Sequence, residues 1–149
     1  MIYHGVDLIE IRRIRRATER WGERFLRRVF TSAELHDCAA LGPQPSYQSL
    51  AGRWAAKEAA AKALGIGLSG MSAAASLNER PGMTDIEVVR ESDGRPSLRL
   101  HGPAAARATQ LGLTSIALSI SHSGEYALAS VVALATSLPP ITPSSPTSQ

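Results

Sequence analysis

The stretch Asp85-Ile86-Glu87-Val88-Val89-Arg90-Glu91-Ser92-Asp93-Gly94-Arg95-Pro96-Ser97-Leu98-Arg99-Leu100-His101 decides the fold class. Polar and apolar residues alternate on both sides of Ser92-Asp93-Gly94-Arg95, the period of two that a half-buried strand requires, and Asp-Gly favours a tight hairpin turn. A second unit of the same kind follows downstream. Ser115 to His122 alternates, Tyr126 to Leu134 is apolar enough for a buried strand, and Ser123-Gly124-Glu125 joins them. Between the hairpins, Gly102-Pro103 starts a helix to about Gly112, with Pro103 at its first helical position. Strands joined mainly as hairpins predict an α+β domain, an antiparallel sheet with helices packed to one side. A doubly wound nucleotide fold is excluded, because the chain has neither βαβαβ alternation nor GxGxxG after a strand.

Upstream of the hairpins the chain reads as one strand and three helices. Met1 to Ile9 forms a short strand that ends at Asp7 or just beyond, a place where a carboxylate caps a helix or holds a ligand. Glu10 to Phe30 is helical, with Ile11, Ile14, Ala17, Trp21, Phe25 and Val29 as one buried stripe and Gly22 breaking the helix in two. Thr31-Ser32-Ala33-Glu34 is a capping box that opens a helix to about Leu41. The third helix runs from Ser49, as N-cap, to Gly65, as left-handed C-cap. The predicted order is therefore β-ααα-ββ-α-ββ. Met71 to Thr84 has no useful periodicity and reads as a mobile surface loop. Residues 1–135 make one domain, and residues 136–149 a disordered Pro/Ser-rich tail.

Composition narrows the function classes. The 149 residues are 44% hydrophobic, enough for a real core, and no run of 18 apolar residues suggests a membrane span. Cys38 is the only cysteine, which excludes an internal disulfide and a multi-cysteine zinc site. No signal peptide is indicated, so a cytoplasmic location is expected. The formal charge of +3 is mild but unevenly spread. Eight of the 14 arginines fall between Arg12 and Arg28, opposed only by Glu19 and Glu23. Such density is either a solvated face or the mark of an anionic partner: nucleic acid, anionic membrane or an acidic protein.

The chain's only lysines, Lys57 and Lys62, lie on the third helix. Glu58 and Lys62 are four apart and share a face, as do Arg53 and Lys57, whereas Lys57 and Lys62 diverge by about 140°. On spacing alone, an exposed Glu58–Lys62 pair worth a few tenths of a kcal/mol is the simplest reading. The chemical reading starts from Asp7 and Glu58 as candidate ligands for Mg²⁺, which takes one or two carboxylates and completes its shell with water and phosphate oxygens. Lys62, one turn from Glu58, could then neutralise a phosphate or protonate a leaving group. Arg53, Lys57 and the loop Gly65-Ile66-Gly67-Leu68-Ser69-Gly70 could hold further phosphates. Ser119-Ile120-Ser121-His122-Ser123 places hydroxyls and an imidazole at a strand end, all donors for an anion. Together these residues point to magnesium-assisted chemistry on a phosphorylated small molecule.

Four pieces, in order from Met1 to about Leu134, resemble the holo-[acyl-carrier-protein] synthase family of small stand-alone 4′-phosphopantetheinyl transferases. They are Gly5-Val6-Asp7 with Glu10 to Arg13, Phe30-Thr31 with Glu34, Gly52-Arg53-Trp54-Ala55-Ala56-Lys57-Glu58-Ala59 with Lys62-Ala63-Leu64-Gly65, and Ser119 to Ser123. The resemblance implies transfer of 4′-phosphopantetheine from coenzyme A to a serine of acyl carrier protein, with release of adenosine 3′,5′-bisphosphate, in fatty acid biosynthesis. It implies Asp7 and Glu58 on Mg²⁺, Lys62 on the phosphate and departing bisphosphate, and a metal-held water or one of the carboxylates as base. It also implies a homotrimer with sites between subunits, where Ser121, His122 and Ser123 face the 3′-phosphate of coenzyme A from the adjacent chain. Arg13, Arg20, Arg24 and Arg28 would dock the acidic carrier. The competing readings are transfer to a polyketide or peptide synthetase carrier, a basic nucleic-acid-binding module, and a coenzyme A-binding regulator without chemistry.

Overall fold

A computed structural model describes residues 1–39, 46–66 and 81–136. The elements run β1 (Ile2–Glu10), α1 (Ile11–Val29), α2 (Ser32–Ala39), α3 (Tyr47–Leu64), β2 (Ile86–Arg90), β3 (Pro96–Leu100), α4 (Gly102–Gln110), β4 (Leu113–Ser123) and β5 (Tyr126–Ala135). This is the predicted order. The strands form two antiparallel ladders among the described residues rather than one sheet: β1-β5-β4, and the hairpin β2-β3 by itself.

Strand alternation gives the three-stranded sheet two unlike faces. On β5 the inward residues are Ala127, Ala129, Val131, Ala133 and Ala135, all buried. Against this shallow floor lies α3, whose own inward residues are Ala51, Ala55, Ala56, Ala59, Ala60 and Ala63. Small residues on both sides let helix and sheet come close, closest at Gly5 of β1. A Cβ there would lie 2.0 Å from the Ala59 carbonyl oxygen and 2.8 Å from the Ala63 nitrogen. The outer face is left exposed and carries Ile2, Val6, Leu8, Tyr126, Leu128, Val132 and Leu134.

Local signals account for most helix ends. Thr31 and Glu34 form the predicted capping box, with Thr31 N donating to Glu34 Oε2 at 2.8 Å and Glu34 N to Thr31 Oγ1 at 3.2 Å. Gly65 closes α3 in the left-handed conformation, φ 66°. The N-cap of α3 is Ser46 rather than Ser49: the Ser46 hydroxyl accepts from Ser49 N at 3.3 Å. Gly22, at φ 54° and ψ −138°, breaks α1 as expected. Trp21, expected in the buried stripe, stands beside this break 54% exposed, with Arg20 over its ring at 4.9 Å. β1 runs past Asp7 to Glu10, so Asp7 is mid-strand, opposite Ala129. The loop reading of Met71 to Thr84 falls mostly outside the described residues. Within it, Met83 is buried and starts a 3₁₀ turn to Asp85. The tail reading and Gly67 also lie outside the described residues.

Candidate active site

Asp7, Glu58 and Lys62 come together where β1 passes α3. Odd residues of β1 face the helix: Gly5 and Ile9 are buried there, and Asp7 between them is half-buried. The close approach at Gly5 brings Asp7 under the last turn of α3, where Lys62 Nζ donates to Asp7 Oδ1 at 2.9 Å and to the Val6 carbonyl at 2.9 Å. Lys62 therefore pairs with Asp7, and the Glu58–Lys62 pair suggested by spacing is not formed. Glu58 is half-buried beside them, and its carboxyl is held above its ordinary pKa by burial and then by the Asp7 charge, with Lys62 opposing. Two carboxylates that repel each other, with one ammonium bound to Asp7, leave the cluster with one negative charge in excess.

A second cluster lies at the other end of α3, roughly 14 Å away for nine residues of helix. A cavity of about 210 Å³ there is lined by Asp37, Ser49, Gly52, Arg53, Ile120 and His122, among others. His122 Nε2 donates to the Gln48 carbonyl at 3.0 Å and lies where a Cβ on Gly52 would be only 2.9 Å away. Arg53 reaches Asp37 at 3.6 Å, and its Nε is buried with no hydrogen-bond partner among the described residues. A guanidinium with a buried, unused donor at a cavity wall suits an anion. Ser121 and Ser123 do not join His122 within one chain. They pair with the outward Leu128 and Tyr126, whereas His122 pairs with the inward Ala127.

Lys57 departs from expectation. Its side chain is wholly buried, and its three donors are spent on Glu34 Oε2 at 2.8 Å, the Met83 carbonyl at 2.9 Å and the Ile86 carbonyl at 2.6 Å. Burial lowers its pKa and Glu34 opposes the shift. An ammonium so occupied cannot reach a phosphate; its job is inside the fold. The Gly65 N–H is likewise committed, closing the helix on Lys62 O at 3.1 Å.

The network around Lys57 was not legible as such. Glu34 was read only as a cap, yet its Oε1 also accepts from Val88 N at 3.0 Å. Glu87 accepts from Thr31 Oγ1 at 2.9 Å and meets His101 Nε2 at 2.9 Å. Asp37 beside Arg53 was also missed, and its only signal was its place one helix upstream. Arg13, Arg20, Arg24 and Arg28 are all exposed on α1. Arg12 and Arg27 are paired, with Glu10 at 2.7 Å and Glu23 at 3.1 Å.

The chain is thus a mixed α+β fold with hairpin-built antiparallel ladders, with Asp7, Glu58 and Lys62 gathered where a strand passes an Ala-rich helix, and with a basic first helix. Residues 4–131 match the 4′-phosphopantetheinyl transferase superfamily, and the chain belongs to it. Among its relatives are proteins named holo-[acyl-carrier-protein] synthase. That of Chloroflexus aurantiacus is 57% identical over 136 residues, covering 91% of this chain and 99% of its own. That of Dehalococcoides mccartyi is 47% identical over 133 residues, 89% and 98%. Of solved structures, the Chronobacterium ammoniagenes ACPS–CoA complex superposes with a TM-score of 0.73 at 32% identity, covering 92% of this chain and 99% of that one. The Helicobacter pylori synthase in complex with coenzyme A gives 0.68 at 27% identity, 90% and 100%.

Proposed function

We propose that this chain performs the reaction for which its relatives are named: it moves 4′-phosphopantetheine from coenzyme A to a serine hydroxyl of apo acyl carrier protein and releases adenosine 3′,5′-bisphosphate. The observation that carries this reading is the meeting of Asp7, Glu58 and Lys62 in a chain that matches such synthases over about nine-tenths of its length. Fatty acid biosynthesis is the setting we read for it; a polyketide or peptide synthetase carrier is the alternative acceptor.

Asp7 and Glu58 offer only hard carboxylate oxygens, and their mutual repulsion favours a cation between them, so the donor set fits Mg²⁺. Bound there, the ion would neutralise pyrophosphate charge. Lys62, exposed and tethered to Asp7, is placed to hold a phosphoryl oxygen and to stabilise charge on the departing bisphosphate. Arg53 and His122, with Asp37 setting the guanidinium, suit the 3′-phosphate. The two clusters are far enough apart along α3 for one coenzyme A to engage them on different copies of the chain.

That arrangement needs an assembly, and a homotrimer is our reading. The outer sheet face supports it, since Ile2 is 68% exposed and Leu8 58%, with five more large apolar side chains beside them. Ser121 and Ser123 share that face and would belong to the neighbouring copy's surroundings. Arg13, Arg20, Arg24 and Arg28 would receive the acidic carrier, whose approach such a surface accelerates.

The test is the mass of an apo carrier after incubation with the chain, coenzyme A and Mg²⁺. Addition of the phosphopantetheine mass is expected; no addition across pH and metal sweeps would refute the reading. Glu58→Gln and Lys62→Ala should each lower the rate by about 10²–10³ or more while leaving the fold intact.

A further inference from the structure

The long buried side chains of α3 are Leu50, Lys57 and Leu64, spaced by seven, which is one stripe two turns apart. At its centre, where a leucine would complete the stripe, the chain places an ammonium. The rest of the buried surface is glycine and alanine. Methyl groups make shallow ridges, so packing alone sets the rotation of this helix about its axis only weakly. Hydrogen bonds are directional, and those of Lys57 run to three separate places: Glu34 of α2 and the Met83 and Ile86 carbonyls at the entry to β2. Glu34 is itself held, by Thr31 N at 2.8 Å and Val88 N at 3.0 Å.

The residue after Lys57 is Glu58. A carboxylate roughly 6 Å from a helix axis moves about 1 Å when the helix turns by about 10°, as much as a metal site tolerates.

We propose that the buried Lys57–Glu34 pair is a positioning device: it fixes the rotation of α3 and so holds the Glu58 carboxylate at the distance from Asp7 that binds a divalent ion. This inference rests on the metal reading of Asp7 and Glu58 given above. It assigns Lys57 no contact with substrate. The buried pair is retained because it specifies one helix orientation where an apolar stripe would allow several.

The experiment measures Mn²⁺ affinity of the full-length chain by the disappearance of the free-ion paramagnetic resonance signal, together with steady-state transfer. The main variant is Lys57→Met with Glu34→Gln, which removes the clamp without stranding a buried charge. Glu34→Asp, which keeps the charge and shortens the reach, carries the test if the double variant does not fold. Leu111→Ala, buried at the C-cap of α4 and not one of the clamp's hydrogen-bonding residues, is the control for lost stability alone. Wild type and Leu111→Ala should bind Mn²⁺ alike, and the clamp variants at least about tenfold more weakly, as when the groups supporting metal ligands are removed. Their kcat should fall at limiting Mg²⁺ and recover with excess, with KM for the carrier unchanged. Wild-type Mn²⁺ affinity in the clamp variants, or an equal loss in Leu111→Ala, would overturn the proposal. A wild-type chain that binds no Mn²⁺ would overturn the metal reading itself.

Discussion

Gly5→Ala is the sharpest probe of how the site is built. The added methyl carbon would sit 2.0 Å from the Ala59 carbonyl oxygen and 2.8 Å from the Ala63 nitrogen, both backbone atoms that have no rotamer to escape into. A carbon–oxygen contact needs about 3.3 Å, so β1 and α3 must separate by on the order of 1 Å. The Lys62–Asp7 contact of 2.9 Å would then open to about 4 Å, the limit of an ion pair. Forcing a methyl into a packed interior typically costs about 1–3 kcal/mol, and the absence of any yielding side chain puts this site at about 3 kcal/mol. For a domain of this size that is a fall in Tm of roughly 10 °C. Calorimetry gives the stability, and Mn²⁺ titration gives the state of the carboxylate pair, which should weaken about tenfold or more. A Gly5→Ala chain with wild-type Tm and wild-type Mn²⁺ affinity would refute the argument that the Gly5 contact assembles the site.

Three further outcomes follow from the same geometry. Reversing Arg24 and Arg28 to glutamate should raise KM for an acidic carrier and flatten the salt dependence of kcat/KM, while kcat at saturation holds; a shifted kcat with unchanged KM would contradict docking there. Burial works to raise the Glu87 pKa, but hydrogen bonds from His101 and Thr31 win and hold it below the ordinary carboxylate value. A depressed carboxyl stabilises the fold above its unfolded pKa, and that contribution fades as pH falls through the folded one. Urea midpoints of Glu87→Gln should therefore fall less steeply than wild type below about pH 4.5, and parallel curves would exclude the assignment. The Cys38 thiol, pushed up by burial to about 11, should resist a disulfide reagent at pH 8 until urea opens the fold; prompt labelling of the native chain would contradict its burial.

What the sequence disclosed was local. Both hairpins, the Thr31–Glu34 capping box, the Gly65 cap and the Gly22 break are each written in a few neighbouring residues, and each stands in the structure. The failures share a cause. On α3, alanine surrounds both Lys57 and Glu58, and the only apolar marks of the inward side are Leu50 and Leu64, seven residues either side of Lys57; an ammonium is buried there because the tertiary partners Glu34, Met83 and Ile86 receive it. Trp21 fits its periodic stripe by spacing yet stands exposed beside the Gly22 kink, because which stripe positions a neighbour covers is decided by tertiary packing and not by periodicity. Asp7 is read from the sequence as a strand-end residue, but its place mid-strand depends on β5, more than a hundred residues away, extending the ladder to Glu10. The separation into two ladders is likewise a matter of which edges meet.

The Val6–Asp7 peptide joins two surfaces. The Val6 side chain belongs to the exposed apolar sheet, its carbonyl oxygen holds the Lys62 ammonium, and the next carboxylate receives the same ammonium from the opposite side of the strand. A single residue thus has one foot in the exposed apolar face and one in charge placement. Under the proposed assembly and metal site, substitutions that retune how strongly this surface adheres will be inherited together with changes in cation affinity. Neither trait can drift alone along this strand.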